Sequence, residues 1–254
     1  LNLTHPETFN EKICFYKLFY CPQNELVIKC ADKYKVRNYL KSKGYENNLI
    51  NVVGVWDEAN AINWNELPEK FALKRTNGCG YNIICLDKSK IEEKEVKKLL
   101  NKWQKDKFGM YNVEPHYDKM PSKIVCEEYI DSDGRLPVDY KIHCFHGVPR
   151  FLEYIHDRNY ENKSNFFESA FIDIANMVDR SDLEGEASPI DKIVLPSSFD
   201  EMLECAKKLS ADFPYVRVDF YEENGHPVFG ELTFTPYHLQ TKTSLKELGV
   251  LIHL

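Results

Sequence analysis

Apolar and polar residues alternate most regularly over 216–236, where VRVDFY and HPVFGELTF flank the turn dipeptide Asn224-Gly225. The pattern predicts a β-hairpin. Because side chains alternate across a strand, Arg217, Asp219 and Tyr221 share one face, and Glu231, Thr233 and Thr235 share a face of the return strand. Loop length decides whether those faces coincide. A two-residue loop of Asn224 and Gly225 pairs Asp219 with Gly230 and turns Glu231 to the other side. A three-residue loop, Glu223-Asn224-Gly225, with Gly225 left-handed in a bulge, puts Asp219 and Glu231 on one face, and this register is the one expected.

Upstream, Thr8-Phe-Asn-Glu11 reads as a capping box opening an amphipathic helix over 8–20, and a second helix is predicted over 32–43, ended by Gly44. LINVVGVWD reads as a strand. EKFALKRTNGCGYNIICLD reads as a strand, a Gly-containing polar loop and a second strand, followed by a charged helix over 91–107. A loop rich in Tyr, Pro and His leads to the strand KIVCEEYI and the turn DSDG at 131–134. LPVDYKIHCFHGVPRFLEYIHDR is a hairpin turning at His146-Gly147, SNFFESAFIDI is a strand, 178–197 is polar and loop-like, and a helix spans 199–211. The order predicts an α+β protein with two lobes and a nucleotide between them.

Composition adds bounds. With 254 residues, 43% hydrophobic and 13% aromatic, the chain buries a sizeable core. A formal net charge of -7 argues against general nucleic-acid affinity. No apolar run approaches about 18 residues, so no membrane span is expected, and a cytoplasmic protein is. The chain opens at Leu1 without Met and stops within LGVLIHL, as a chain cut at both ends would. Eight cysteines without a C-x-x-C pair point to reduced, buried thiols. His143 and His146 face opposite sides of a strand and make poor partners for one metal.

The candidate chemistry is anionic and cationic by turns. Asp219 and Glu231 on adjacent strands suggest a hard-metal site with Thr233 as a further oxygen, the alternative being a half-exposed hairpin with both carboxylates solvated. Close carboxylates without a metal repel, so neutralising one is expected to stabilise the metal-free protein. Lys74 ends a strand beside Thr76, Asn77, Gly78, Cys79 and Gly80, a candidate phosphate flap whose glycines let amides approach an anion, although such loops are commonly plain turns. It is not a P-loop, since G-x-x-x-x-G-K-[ST] is absent. Glu127 and Glu128 end an apolar strand, which in a nucleotide site could hydrogen-bond an adenine amino group or ribose hydroxyls and otherwise leaves one glutamate facing solvent. Lys141, a charge inside a strand, is expected at an exposed edge or face and is a second phosphate candidate. Lys33 and Arg37 lie one turn apart, a solvated cationic face or, for Lys33, a further nucleotide contact.

Taken together, HPETFNEK, ADKYKVRNYL, FALKRTNGCGYNIIC, EEYI, DYKIHCFHG, VRVDFY and GELTFTP resemble, in order and nearly end to end, the TupA-like branch of the ATP-grasp proteins, associated with teichuronopeptide and other surface-polysaccharide biosynthesis. The resemblance implies an ATP-grasp fold of mainly antiparallel sheets gripping a nucleotide: an N-terminal portion over 1–65, a small lobe with the flap over 66–130 and a large lobe with the metal hairpin over 131–254. It implies that Lys74 and the 76–80 loop hold ATP phosphates, that Glu127 or Glu128 lies at adenine and ribose, that Lys141 faces the phosphates, and that Asp219 and Glu231 hold Mg2+. Arg217 matches the arginine that steadies an acyl phosphate. Thr233 stands where many ATP-grasp ligases have Asn. The implied activity is ATP-dependent amide formation between a carboxylated sugar or glycan and an amino acid or amine, with peripheral association with polysaccharide-assembly enzymes. A kinase of the same fold and a non-catalytic nucleotide- or glycan-binding module are the rival readings.

Overall fold

The structure, a computed structural model, describes residues 2–130, 137–156, 168–179, 195–236 and 248–253. α1 (Phe9–Phe15) starts at the expected capping box: Thr8 Oγ1 accepts from the Glu11 amide, and the Glu11 carboxylate accepts from the Thr8 amide. The helix continues into a π turn, Tyr16–Tyr20. α2 (Glu25–Cys30), capped by Asn24, is too short for its apolar spacing to show in the sequence. The helix predicted over 32–43 forms only from α3 (Val36–Ser42), because the Asp32 carboxylate accepts the Tyr34 and Lys35 amides and holds a turn ahead of it. Lys33 therefore stands in that turn, its amide bonded to the Thr76 carbonyl.

Two antiparallel sheets organise the rest, which makes the fold α+β as expected. The smaller contains β1 (Val52–Trp56), β2 (Phe71–Arg75), β3 (Asn82–Cys85) and β4 (Ile124–Glu128) in the order β1-β4-β2-β3. α4 (Glu93–Lys105) covers it, packing Val96 and Leu100 against Phe71, Leu73 and Ile124. A short α5 (Phe108–Tyr111) follows. The larger sheet contains β5 (Asp139–Phe145), β6 (Val148–His156), β7 (Glu168–Asp173), β8 (Val178–Asp179), β9 (Tyr215–Glu223) and β10 (His226–Thr233), ordered β10-β9-β5-β6-β7-β8. α6 (Phe199–Ser210) and the N-terminal helices cover one face, burying Ile142, Val218 and Phe220 with Met202, Leu209 and Leu40. The turn at 131–134, the start of the strand predicted over 164–174, and most of the loop over 178–197 lie outside the described residues. Among the described residues no helix is long and apolar enough to cross a membrane. All eight cysteines are free; Cys79 is exposed, Cys14 half-buried and the others buried.

Two expectations are corrected here. Lys141 is not at an edge: β5 lies between β9 and β6, and the residue is only 9% exposed. The hairpin loop is the two-residue one, with Asn224 (φ 53°) and Gly225 (φ 78°) both left-handed between paired Glu223 and His226. Asp219 and Glu231 are nonetheless cross-strand partners, because the register slips by one residue between Phe229 and Glu231. The extra residue is Gly230, where an added Cβ would lie 3.1 Å from the Asp219 carbonyl oxygen. The bulge thus does what the turn was expected to do.

That tight approach makes Gly230→Val a test of the bulge. The substitution should lower unfolding free energy by about 1–3 kcal/mol, as overpacking against backbone does. Chemical denaturation reads the effect, and a wild-type midpoint would show the bulge has room to spare.

Candidate active site between the two sheets

On the larger sheet, the face opposite α6 changes character along its length. One end is apolar and aromatic, with Phe145, Phe151, Phe171 and Tyr215 packed on Phe9. The other end is charged. There Lys141 faces Asp219 across β5 and β9, and Glu153 across β5 and β6. Asp219, 3% exposed, receives Arg217 Nε on Oδ1 and Arg217 Nη2 on Oδ2, both at 2.7 Å, and Lys141 Nζ on Oδ2 at 3.0 Å. Lys141 also pairs with Asp139 at 3.5 Å, and Arg217 Nη1 lies 3.6 Å from Glu153.

Glu231 is held from the other side: Lys33 Nζ is 3.1 Å from its Oε2 and donates to the Gly78 carbonyl at 2.9 Å. One ammonium thereby ties the hairpin to the flap. The Thr233 hydroxyl donates to Glu231 Oε1 and accepts from Arg217 Nη2, each at 3.3 Å. Burial alone would raise the Asp219 pKa, but Arg217 and then Lys141 outweigh it, leaving the carboxyl below its ordinary value. Burial would likewise raise Glu231, but Lys33, Lys141 and Arg217 together leave it depressed. Burial pushes His143 down, and its Nδ1 meets the Tyr215 hydroxyl at 2.8 Å beneath the cluster.

The smaller sheet supplies a second group of candidates. Lys74 Nζ is 2.5 Å from Glu127 Oε2, and Lys74 and Glu128 line a slot whose walls include Ala72, Ile84, Ile130 and Tyr221. Apolar walls with a few polar groups at the rim suit a planar base. In the flap, Thr76 and Asn77 are buried, and their side chains anchor the loop. Thr76 Oγ1 accepts from the Lys123 amide, while Asn77 bridges Arg75 Nε and the Tyr117 carbonyl. Gly78 (φ 91°) and Gly80 (φ 78°) take backbone conformations that favour glycine, and an added Cβ at Gly78 would lie 2.9 Å from the Phe108 ring. Cys79 and Gly80 share the wall of a cleft of about 380 Å3 with Arg217, Glu231 and Thr233. The flap tip thus stands over the charged hairpin.

A family model for TupA-like ATP-grasp proteins matches residues 11–252. The chain belongs to the TupA-like ATP-grasp family. Among solved structures, the ADP complex of PurK, N5-carboxyaminoimidazole ribonucleotide synthetase, is similar at TM-score 0.53 and 13% identity, covering 85% of this chain and 48% of that one. Phosphoribosylamine–glycine ligase from Thermotoga maritima is similar at TM-score 0.52 and 11% identity, covering 84% and 50%. The ATP-grasp ligase PsnB with its minimal precursor is similar at TM-score 0.51 and 10% identity, covering 91% and 62%. This chain spans about half to three-fifths the length of these proteins, and the likeness is one of fold. No curated protein matches.

For this TupA-like chain the donor set decides what kind of ion could be held. Among the described residues no group of three or more His, Cys, Asp or Glu is arranged to hold a metal. Asp219, Glu231 and Thr233 offer two carboxylates and a hydroxyl on one face, all hard oxygen donors. A magnesium ion bound with substrate phosphates needs only one or two protein carboxylates, so the set fits that ion. The structure brings Lys33, Lys141, Arg217, Asp219, Glu231 and Thr233 into one cluster, and Lys74 and Glu128 to the slot, with Glu127 paired to Lys74. Sequence reasoning missed Glu153, which joins the cluster only because β6 carries an extra residue, Arg150, between Phe151 and Pro149. Counted back from the His146-Gly147 turn without it, Lys141 would face Leu152.

The expected repulsion between Asp219 and Glu231 is overridden by the cations between them, which reverses a stability prediction. Asp219→Asn should destabilise the metal-free protein, by about 3–5 kcal/mol, because it leaves Arg217 and Lys141 short of a buried partner. The depressed Asp219 contributes stability that is fully present above the unfolded-state pKa of about 4 and is lost as pH falls through its lower folded-state value. Urea unfolding from pH 7 to pH 3 should therefore show the gap between wild type and variant closing with acid. A gap that is constant or absent would remove Asp219 from the network.

Proposed function

We propose that this protein is an ATP-dependent carboxylate–amine ligase that forms an amide through an acyl phosphate. In this reading it joins an amino acid or amine to a carboxylated sugar or glycan in surface-polysaccharide biosynthesis. The observation that carries the proposal is the charged end of β5, β9 and β10 facing the flap: an arginine, two lysines and two carboxylates converge where the two sheets meet. ATP-grasp neighbours with ligase and synthetase titles support it by analogy of fold.

In the proposed reaction the slot beside Lys74 takes the base and ribose, with Glu128 and Glu127 at its polar edge. Lys74 and the amides around Gly78 and Gly80 face the phosphates. Asp219 and Glu231 would hold magnesium, whose charge would offset that of the ATP phosphates. The substrate carboxylate attacks the γ-phosphorus, the bond to ADP breaks, and an acyl phosphate forms. The amine then attacks the acyl carbon, and phosphate leaves with the bonding pair. Arg217 suits the anionic oxygens of both steps, since its planar fork makes two parallel hydrogen bonds. Both arms of that fork rest on Asp219 in this structure, so an oxyanion in the cleft competes with Asp219 for a guanidinium already in place.

Nucleotide binding is tested by thermal shift. Mg-ATP at about a hundred times its Kd should stabilise the protein by about 2.7 kcal/mol, and Lys74→Ala should remove most of that increment. An unchanged increment in the variant would take Lys74 out of the site. Turnover is tested by phosphate release across a matrix of uronic acids and amines. Release that needs both partners supports the ligase, whereas ADP formation indifferent to amine favours a kinase. Arg217→Lys should keep the Mg-ATP shift and lose turnover by roughly 10-fold to 100-fold, because an ammonium lacks the two-pronged grip. Full activity in that variant would end the acyl-phosphate role of Arg217.

A further inference from the structure

The cleft continues past the hairpin. Thr235 stands two residues beyond Thr233, at most about 7 Å along the chain, and its hydroxyl donates to Glu114 Oε1. Glu114 is 8% exposed, yet among the described residues it has no ion pair; Thr235 occupies Oε1, and the carboxylate lines the cleft. An unpaired buried carboxylate is costly. Burial raises the Glu114 pKa, and the charge of Lys17 pulls it back without a bond between the two.

Lys17 lines the same end of the cleft, half-buried, with no hydrogen bond or ion pair among the described residues. It projects from the π turn Tyr16–Tyr20, a widening of the helix that is frequent at functional sites. Phe108 and Tyr117, packed edge to face at 5.2 Å, form an aromatic wall between these charges and the flap. Elsewhere in the cleft the cations and carboxylates are matched to one another. Here one of each sign is left without a partner, within reach of the same small volume.

We propose that this end of the cleft is the amine subsite and that it takes a zwitterionic α-amino acid, with the ammonium on Glu114 and the carboxylate on Lys17. Its place in the reaction rests on the ligase reading above; the binding itself does not. The balance is simple. Glu114 takes one proton from the ammonium, the freed nitrogen lone pair attacks the acyl carbon, the C–O bond to phosphate breaks, and a second nitrogen proton leaves with the departing phosphate. A buried carboxylate suits the first of these transfers, since its surroundings favour the protonated form.

Binding of the standard proteinogenic α-amino acids, each against its decarboxylated amine, tests the subsite by calorimetry on the full chain with magnesium and a non-hydrolysable ATP analogue. At least one amino acid should bind, with its decarboxylated amine weaker by roughly 10-fold to 100-fold, the loss of one charge-assisted contact. Lys17→Met and Glu114→Gln should each weaken the amino acid by a similar factor, and Lys17→Arg should retain it. The nucleotide-induced thermal shift should be intact in all three, which also checks that they fold. No binding by any amino acid, equal binding of the decarboxylated amine, or wild-type affinity in Lys17→Met would overturn the subsite. Hydroxylamine, which needs neither contact, separates the two proposals. ATP-dependent hydroxamate from a uronic acid without amino-acid binding keeps the ligase and sinks the subsite, whereas Lys17-dependent amino-acid binding with no hydroxamate from any carboxylate supports the subsite and sinks the ligase.

Discussion

Asp219 is buried with both oxygens occupied by cations, and much of the architecture around the cleft follows from keeping it so. A charge in the interior is tolerated only when its partners are fixed in place, because desolvation costs several kcal/mol per ion even after relaxation. β9 supplies Arg217 on the same face and β5 supplies Lys141 directly opposite, and both strands are central in the sheet. The sheet is rigid where the charges are. Its other face is packed by α6 and the N-terminal helices, so the cations cannot relax by moving the backbone. A network this well matched is a poor source of net stability and a good way to hold functional groups at set distances.

Lys33 gives that network a second link. By bridging Glu231 and the Gly78 carbonyl, it couples the end of the hairpin to the loop that stands over it. The loop has its own anchors in Thr76 and Asn77, whose buried side chains fix its base while the glycines leave the tip free of Cβ atoms. These two polar side chains thus serve as fasteners, and the residues after them, Cys79 and Gly80, are what line the cleft. A ligand that draws Glu231 away from Lys33 also loosens the tie to the flap.

The slot and the cleft divide the proposed chemistry between apolar and charged surroundings. Ala72, Ile84 and Ile130 give a planar base somewhere dry to stack, whereas Arg217, Lys141 and Lys33 form a network of matched charges with their carboxylates a short way off. The slot's apolar walls come mainly from the smaller sheet, whereas on β5 and β9 strand alternation keeps the charges on one face and buries the residues between them, Tyr140, Ile142, Val218 and Phe220, in the core. A single change of register on either strand would send the charges into the core and the core into the cleft.

Much of this was legible in the chain because the signals are local. The capping box at Thr8, the turns at His146-Gly147 and Asn224-Gly225, the helices covering the sheets and the order of motifs shared with the TupA-like family all depend on residues close in sequence. The sequence by itself therefore determined most of the elements, the α+β class and nearly all the charged residues of the cluster, but not the short α2, α5 and β8. It did not determine which residues meet. The start of α3 was moved by the Asp32 carboxylate, and Lys141 was buried by two flanking strands that its own neighbourhood does not reveal. Above all, the pairings of Asp219 with Glu231 and of Lys141 with Glu153 each depend on one extra residue, Gly230 and Arg150, inserted after a regular two-residue turn. A bulge is set by packing on both faces of a sheet, not by the residues of the turn, so only the tertiary structure could decide it.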